Sequence, residues 1–135
     1  KKEVGALGIS NCYDLDVLKY LYNNAKVKPT IVQNRFYAQS GYDKELRAFC
    51  KQNNITYESF WSLTANPNIL ASEVLQNLSV KYQKGVAEIF YRFLNHIDIV
   101  PLNGTTSTKH MIEDLKIGEF ELTKDEINSI LNLLN

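Results

Sequence analysis

Short β-branched runs alternate with segments of helical period along the whole chain, and this alternation constrains the fold more than any other feature. Val4 to Ile9 is a short apolar, glycine-spaced run that predicts a buried strand. Asp14 to Asn24 then places Leu15, Leu18, Leu21 and Tyr22 at helical spacing. Thr30 to Gln33, directly after Pro29, predicts the second strand, and Tyr42 to Asn53 carries Leu46, Phe49 and Cys50 on one helical face. Ile55 to Trp61, aromatic and β-branched, predicts the third strand. Beyond a turn at "TANPN", one helix runs through Leu70, Val74, Leu78 and Tyr82, and another after Gly85 shows Val86, Ile89, Phe90, Phe93 and Leu94. Ile97 to Leu102 is the fourth strand. The last helix opens with a capping box, Thr123 and Glu126, and buries Ile127, Ile130, Leu131 and Leu134. The order βαβαβ(αα)βα predicts a parallel α/β sheet with right-handed crossovers. Two architectures share it: a small three-layer sandwich and a slice of a (β/α)8 barrel.

At 135 residues the chain suits a single unit, residues 1–135, with an ordinary hydrophobic core. Its net charge is zero and it has no cationic block, which excludes a general nucleic-acid or anionic-membrane binder. No apolar run is long enough to span a bilayer, and the first residues lack the layout of a signal peptide, so a cytoplasmic location is expected. Cys12 and Cys50 lie far apart without metal-type spacing and read as two reduced thiols; no metal site is expected. Glycosylation-type triplets at Asn54, Asn77 and Asn103 read as chance in an Asn-rich chain.

In either architecture the chemistry gathers at the C-terminal ends of the strands. Those ends read Ser10-Asn11, Gln33-Asn34, Phe60-Trp61-Ser62 and Asn103 to Ser107. All four carry hydrogen-bonding or stacking groups, which polar loops that merely cap strands also do. The last is the most specific. "NGTTSTKHMIED" sets glycine and hydroxyl residues between a strand and a helix N-terminus, the composition of an anion-binding loop.

"GISN" after a strand, "VQN" ending the next, "SFWSLT" ending the third and "VPLNGTTSTKHMIEDL" at the fourth together resemble the aldo-keto reductases. "YQKGVAEIFYRFL" resembles that family's penultimate helix, and "FELTKDEI" its closing segment. A single match such as "GISN" is weak; four in register over most of the chain are specific. The resemblance implies strands five to eight of a (β/α)8 TIM barrel, hence half a barrel of about four parallel strands, each followed by helix. It also implies a nicotinamide dinucleotide, with NADP(H) favoured over NAD(H).

Residue by residue, the resemblance places Ser10, Asn11 and Gln33 on the nicotinamide carboxamide, where a fixed donor and acceptor set orients the ring. It places Phe60 under the ring, with Trp61 as the alternative should the strand end one residue later; an inward core aromatic is the other reading of either. Ser62 and Leu63 fall where the family's loop passes the pyrophosphate. Thr105, Thr106 and Ser107 match the loop at the phosphate on the adenosine ribose, and His110, Glu113 and Asp114 match positions holding that phosphate and the adenine.

Two departures matter. Many NADP-preferring members carry a lysine near Gly104 and an arginine at the His110 position, and histidine does not replace a permanent bidentate cation. Lys109, one residue from His110, points about 100° away on a helix. Second, the family's catalytic Asp, Tyr, Lys and His belong to the first half of the barrel, so no catalytic residue is assigned here. His96 reads as a helix-terminal histidine at the C-terminal dipole. A carbonyl substrate is therefore expected only in the complete barrel. The start "KKEVGALGISN" reads as an interior cut and the substrate-shaping C-terminal loop as short or absent; the chain is expected to be a fragment of such a reductase or, as the alternative, a non-catalytic half-barrel that self-associates or binds a nucleotide weakly. Four strands leave two open edges and an apolar inner face, so the chain is expected to pair with itself or with an N-terminal half-barrel.

Overall fold

The computed structural model describes residues 3–135. Readings that involve Lys1 and Lys2, the interior cut and the single unit 1–135, extend outside the described residues. Four parallel strands lie side by side in chain order: β1 (Gly8–Ser10), β2 (Ile31–Arg35), β3 (Thr56–Phe60) and β4 (Ile99–Pro101). The connections carry α1 (Leu15–Asn24), α2 (Lys44–Gln52), α3 (Pro67–Leu70), α4 (Glu73–Tyr82) and α5 (Val86–His96). α6 (Thr108–Leu115) and α7 (Lys124–Leu131) follow β4. The fold is the α/β alternation of strand and helix that the sequence predicts.

One sheet face is covered by helices. Val32, Asn34, Tyr57, Ser59 and Ile99 are buried there against Leu18, Leu46, Leu75, Ile89, Phe90, Phe93, Leu94 and Ile130. Successive strand residues point to opposite faces, so the alternate residues form a second, uncovered face. The register sets Ser10, Gln33, Glu58 and Val100 in one row, Gly8, Ile31 and Thr56 in the row before it, and Arg35 with Phe60 in the row after. This face was expected to be apolar. It carries Ser10, Gln33, Arg35, Thr56 and Glu58 among its few apolar side chains, and Gln33 Nε2 donates to Glu58 Oε2 at 2.9 Å. Polar rows and three-residue edge strands limit the aggregation hazard of an open sheet. Gly8 sits at a close approach: a Cβ there would meet the Ile31 Cβ at 3.2 Å, so Ile31 would have to shift by a few tenths of an ångström to admit a side chain.

Several boundaries differ from the periodic reading. β1 begins at Gly8 rather than Val4, since it pairs only with residues 31–33, and Val4 and Leu7 are exposed. α2 begins at Lys44 rather than Tyr42 because Gly41, Tyr42 and Asp43 all take positive φ (58°, 53°, 50°), which a helix cannot include. The helix through Leu70 and Tyr82 is two: it stops at Ala71, and Ser72 Oγ restarts it by accepting the Leu75 N–H at 3.3 Å. β4 starts at Ile99, because Ile97 caps α5 and Asp98 turns the chain at φ 61°.

The caps follow the sequence more closely. Asp14 accepts from the N–H groups of Asp16 and Val17 at 2.8 and 3.2 Å, and Thr123 with Glu126 forms the capping box. Glu126 also receives Lys81 and Tyr82 at 2.5 and 2.7 Å, tying α7 to α4. Burial pushes its carboxyl up, but the bonds from Lys81, Tyr82 and Thr123 outweigh this and hold it at about 2.

Behind the sheet lies a polar network that periodicity does not reveal. Asn34 Oδ1 accepts the Cys12 N–H at 2.9 Å, and its Nδ2 donates to the Cys12 carbonyl at 2.7 Å and to Asp43 Oδ2 at 2.8 Å. Tyr57 donates its phenol to the same Asp43 oxygen at 2.7 Å. Burial, and then the Asp43 charge, push the Tyr57 phenol far above its ordinary range. Cys12 and Cys50 are free, buried thiols, and burial first and Asp43 second push Cys50 up to about 11. Among the described residues, no helix is long and apolar enough to cross a membrane, and no group of His, Cys, Asp and Glu is arranged to hold a metal ion.

Candidate functional site

The C-terminal strand ends open onto one rim. At the first two, Ser10 Oγ donates to the Gln33 carbonyl at 3.1 Å, and the Asn11 N–H reaches the same oxygen at 3.0 Å. Asn11 turns at φ 57°; its Nδ2 lies 3.4 Å from Ser10 Oγ, and its Oδ1 accepts from Tyr13 at 3.1 Å. Asn tolerates the left-handed conformation better than most residues. Ser10, Asn11 and Gln33 are thus brought together.

β3 ends at Phe60, partly buried on the uncovered face opposite Arg35. Trp61 turns out of the strand at φ 56° and is 58% exposed. The Arg35 guanidinium lies 4.4 Å from the Trp61 ring centroid and 5.3 Å from that of Tyr37, and its buried Nε has no hydrogen-bond partner. Arg35 and Tyr37 are rim residues that sequence reading did not single out. Ser62 turns inward: it is 2% exposed, with its Oγ 2.8 Å from Ser59 Oγ, so only its neighbours reach outward.

Two adjoining cavities run from here across the rim. The first, of about 480 Å³, is lined by residues 60–64 with Tyr91 and residues 102–104. The second, of about 500 Å³, shares Leu63, Tyr91, Asn103 and Gly104 with it and continues over residues 85–88, Thr105, Lys109, His110, Glu113 and Asp114. Together they form one elongated groove joining Phe60, Trp61 and Leu63 to Thr105, His110, Glu113 and Asp114. Neither cavity is lined by Ser10, Asn11 or Gln33, nor by Thr106 and Ser107.

The loop before α6 is held by its own side chains. Thr105 Oγ1 accepts the Ser107 N–H at 3.1 Å, and Ser107 Oγ caps the helix by accepting the His110 N–H at 3.4 Å. The first-turn amides of Thr108 and Lys109 have no acceptor within the helix and are free for a ligand. Thr106 is exposed. Lys109 Nζ pairs with Glu113 Oε1 at 3.6 Å, and Asn103 Nδ2 donates to Asp114 Oδ2 at 2.5 Å. Tyr91, read from sequence only as part of a helix, lines both cavities; burial and then the Asp114 charge push its phenol up to about 12. Glu88, missed as well, lines the second cavity. Its position in the first turn of α5, where its Oε2 accepts the Gly85 N–H at 2.8 Å, is the signal that could have found it. His96 ends α5 away from the groove, its Nε2 accepting the Leu122 N–H at 3.2 Å, with Glu121 Oε2 at 3.2 Å.

An open parallel α/β half-barrel with a groove across its strand ends defines the class of this chain. Comparisons with known proteins show what it is similar to. The glyoxal reductase of Bacillus subtilis is 30% identical over 128 residues, covering 95% of this chain and 45% of that protein. The crystal structure of MGS-M4, an aldo-keto reductase from a deep-sea metagenome library, superposes with a TM-score of 0.84 at 26% identity, over 96% of this chain and 47% of the other. A silkworm (Bombyx mori) aldo-keto reductase complexed with NADPH shares the fold, with a TM-score of 0.78 at 20% identity over 94% of this chain and 41% of the other. No family model matches. The chain matches the C-terminal half of the aldo-keto reductases and spans about half the length of the curated relatives it matches.

Proposed function

We propose that this chain is the cofactor-binding half of an NAD(P)H-dependent aldo-keto reductase, an oxidoreductase that in its complete form reduces aldehydes and ketones to alcohols. The observation that carries the reading is the groove joining the aromatic end of β3 to the N-terminus of α6. Two cavities joined end to end suit a ligand with two heterocyclic ends and a phosphate middle. The open face of Trp61, the free amides of Thr108 and Lys109 and the carboxylates of Glu113 and Asp114 offer stacking, anion and hydroxyl recognition in turn.

When bound, the dinucleotide supplies the hydride. The chain's own part is to orient it: Ser10, Asn11 and Gln33 hold the carboxamide and Phe60 or Trp61 supports the ring. Leu63 lies beside the pyrophosphate, with Ser62 tucked behind it. Thr105, Thr106, Ser107, His110, Glu113 and Asp114 surround the adenosine. Of the two aromatics, Trp61 presents the more open ring. The uncovered face and the free edges of β1 and β4 support a second half-barrel, this chain's own copy or an N-terminal half, as the partner against which a carbonyl substrate is held. Nucleic acid and membrane have no part in this reading, which places the protein in the cytoplasm. The preference for NADP(H) expected from the resemblance rests on Thr105, Thr106, Ser107 and the α6 amides.

Trp61 is the single tryptophan and stands at the groove, so its fluorescence reports occupancy. Titration with NADH and NADPH is expected to quench it saturably with at least one of them. No quenching by either at millimolar concentration contradicts the proposal.

A further inference from the structure

We propose that Arg35 is a carboxylate-recognition residue at the rim, so that the carbonyl substrate held against this half-barrel carries an acidic group. The proposal rests on the cofactor reading above and names the substrate class of the same site. Arg35 lies on the uncovered face beside Phe60, one row nearer the rim than Ser10, Gln33 and Glu58. In that reading Gln33 orients the carboxamide and the aromatic end of β3 supports the ring. Arg35 therefore stands where a substrate projects beyond the nicotinamide.

The guanidinium is uncommitted. Of the chain's three arginines, Arg47 donates its Nε to the Tyr42 carbonyl at 2.8 Å. Arg92 donates its own to the Phe120 carbonyl at 2.8 Å and pairs with Glu121. Arg35 Nε is buried without an acceptor, and among the described residues the guanidinium joins no ion pair. Glu58, the carboxylate on the same sheet face, accepts from Gln33 Nε2 instead. A charged donor buried without an acceptor is costly, and an anion that supplies the acceptor recovers that cost on binding.

Two rings hold the group ready. Its centre lies 4.4 Å from the Trp61 ring centroid and 5.3 Å from that of Tyr37. Tyr37 is braced edge-on by Tyr13, whose hydroxyl accepts the Arg35 N–H at 3.0 Å. Cation–π contact keeps the charge while fixing its position, and the guanidinium fork matches a planar carboxylate bidentately. Arg35 lines neither cavity of the groove along which the dinucleotide is placed. The anion it serves is therefore a carboxylate beside the ring rather than the pyrophosphate, which the reading sets at Leu63.

The test follows the Arg35 Nε–Hε and Trp61 indole signals of the isotopically labelled 135-residue protein. The titrants are pyruvate, its neutral amide pyruvamide and inorganic phosphate, each with and without NADH. Pyruvate is expected to shift both signals saturably at millimolar concentration. Pyruvamide should bind at least about tenfold more weakly, because the charge-assisted pair is lost. Arg35→Lys keeps the charge but not the fork, and should weaken pyruvate binding by about tenfold, read from Trp61. Arg35→Met, which keeps an unbranched stem beside the rings, should abolish it. No saturable pyruvate shift, equal binding of pyruvamide, or undiminished binding by Arg35→Lys overturns the proposal. Phosphate binding more tightly than pyruvate also overturns it, by making the dinucleotide's pyrophosphate the group that Arg35 meets. A ligand-free Arg35 signal that moves on dilution overturns it too, since a carboxylate of a second copy then fills the place. NADH shifts along the groove are read in the same titration. Their absence overturns the cofactor reading itself, and their presence without a pyruvate response overturns the proposal alone.

Discussion

Asp43→Ala is expected to lower the unfolding free energy by about 2–5 kcal/mol, because it strands two buried donors at once. The Asp43 carboxylate is 4% exposed and receives Asn34 Nδ2 at 2.8 Å and the Tyr57 hydroxyl at 2.7 Å. Without it, Tyr57 keeps a buried hydroxyl with no acceptor, and Asn34 loses one of its three bonds. The loop at Cys12, which leads out of the Ser10-Asn11 strand end, depends on the other two. Asp43→Asn retains an acceptor oxygen, and asparagine tolerates the φ of 50° at this position, so it should lose distinctly less. Urea midpoints of the two variants against the parent decide the matter. Equal midpoints for alanine and asparagine would mean that the acceptor is not what stabilises the network.

Phe90→Ala is the second large expected effect, at about 3–5 kcal/mol. Phe90 has no exposed surface and sits where α5 meets both the sheet and its own neighbours. Its ring stacks on Phe93 with centroids 5.8 Å apart and lies 6.3 Å from Phe36, which leaves β2 toward the rim. Removing the ring leaves a cavity bounded by other fully buried side chains, which cannot collapse without moving the sheet. A typical domain has only about 5–15 kcal/mol in hand, so the variant is expected to unfold at much lower urea. A midpoint close to the parent's would show that α5 is packed more loosely than the structure describes.

These two sites differ in how far the sequence announces them. Phe90 belongs to a helical pattern that could be read directly, as do Leu18, Leu46 and Ile130, because burial of one helix face leaves a period in the residues. The Asn34–Asp43–Tyr57 network leaves none. It depends on three successive residues, Gly41, Tyr42 and Asp43, turning left-handed, and of these only the glycine carries a signal of that conformation. The same gap explains the uncovered face. Alternation locates Gln33 and Glu58 on one side of the sheet, but their pairing appears only once the register sets β2 beside β3.

At the site, the four strand-end motifs were legible as a set because parallel strands direct their C-terminal ends to one rim. The partition of labour within each motif was not. Whether Phe60 or Trp61 faces outward turned on the strand ending at Phe60, and that ending also sends Ser62 inward to Ser59. Thr105 and Ser107 read as ligand hydroxyls, yet each is engaged in holding the loop and the helix start. Tyr91 and Glu88 come from α5, a helix whose sequence announces only core packing. Their place on the cavity follows from how α5 packs beside α6.

The central claim is that a nicotinamide dinucleotide lies along the groove from Trp61 to α6. Amide chemical shifts of the isotopically labelled protein, followed during titration with NADH, test it most directly. The account predicts saturable shifts at Trp61 to Leu63, at Asn103 to Thr105 and in the first turn of α6, with α2 and α7 undisturbed. No saturable shift at millimolar NADH, or shifts confined to surfaces away from that rim, would contradict it.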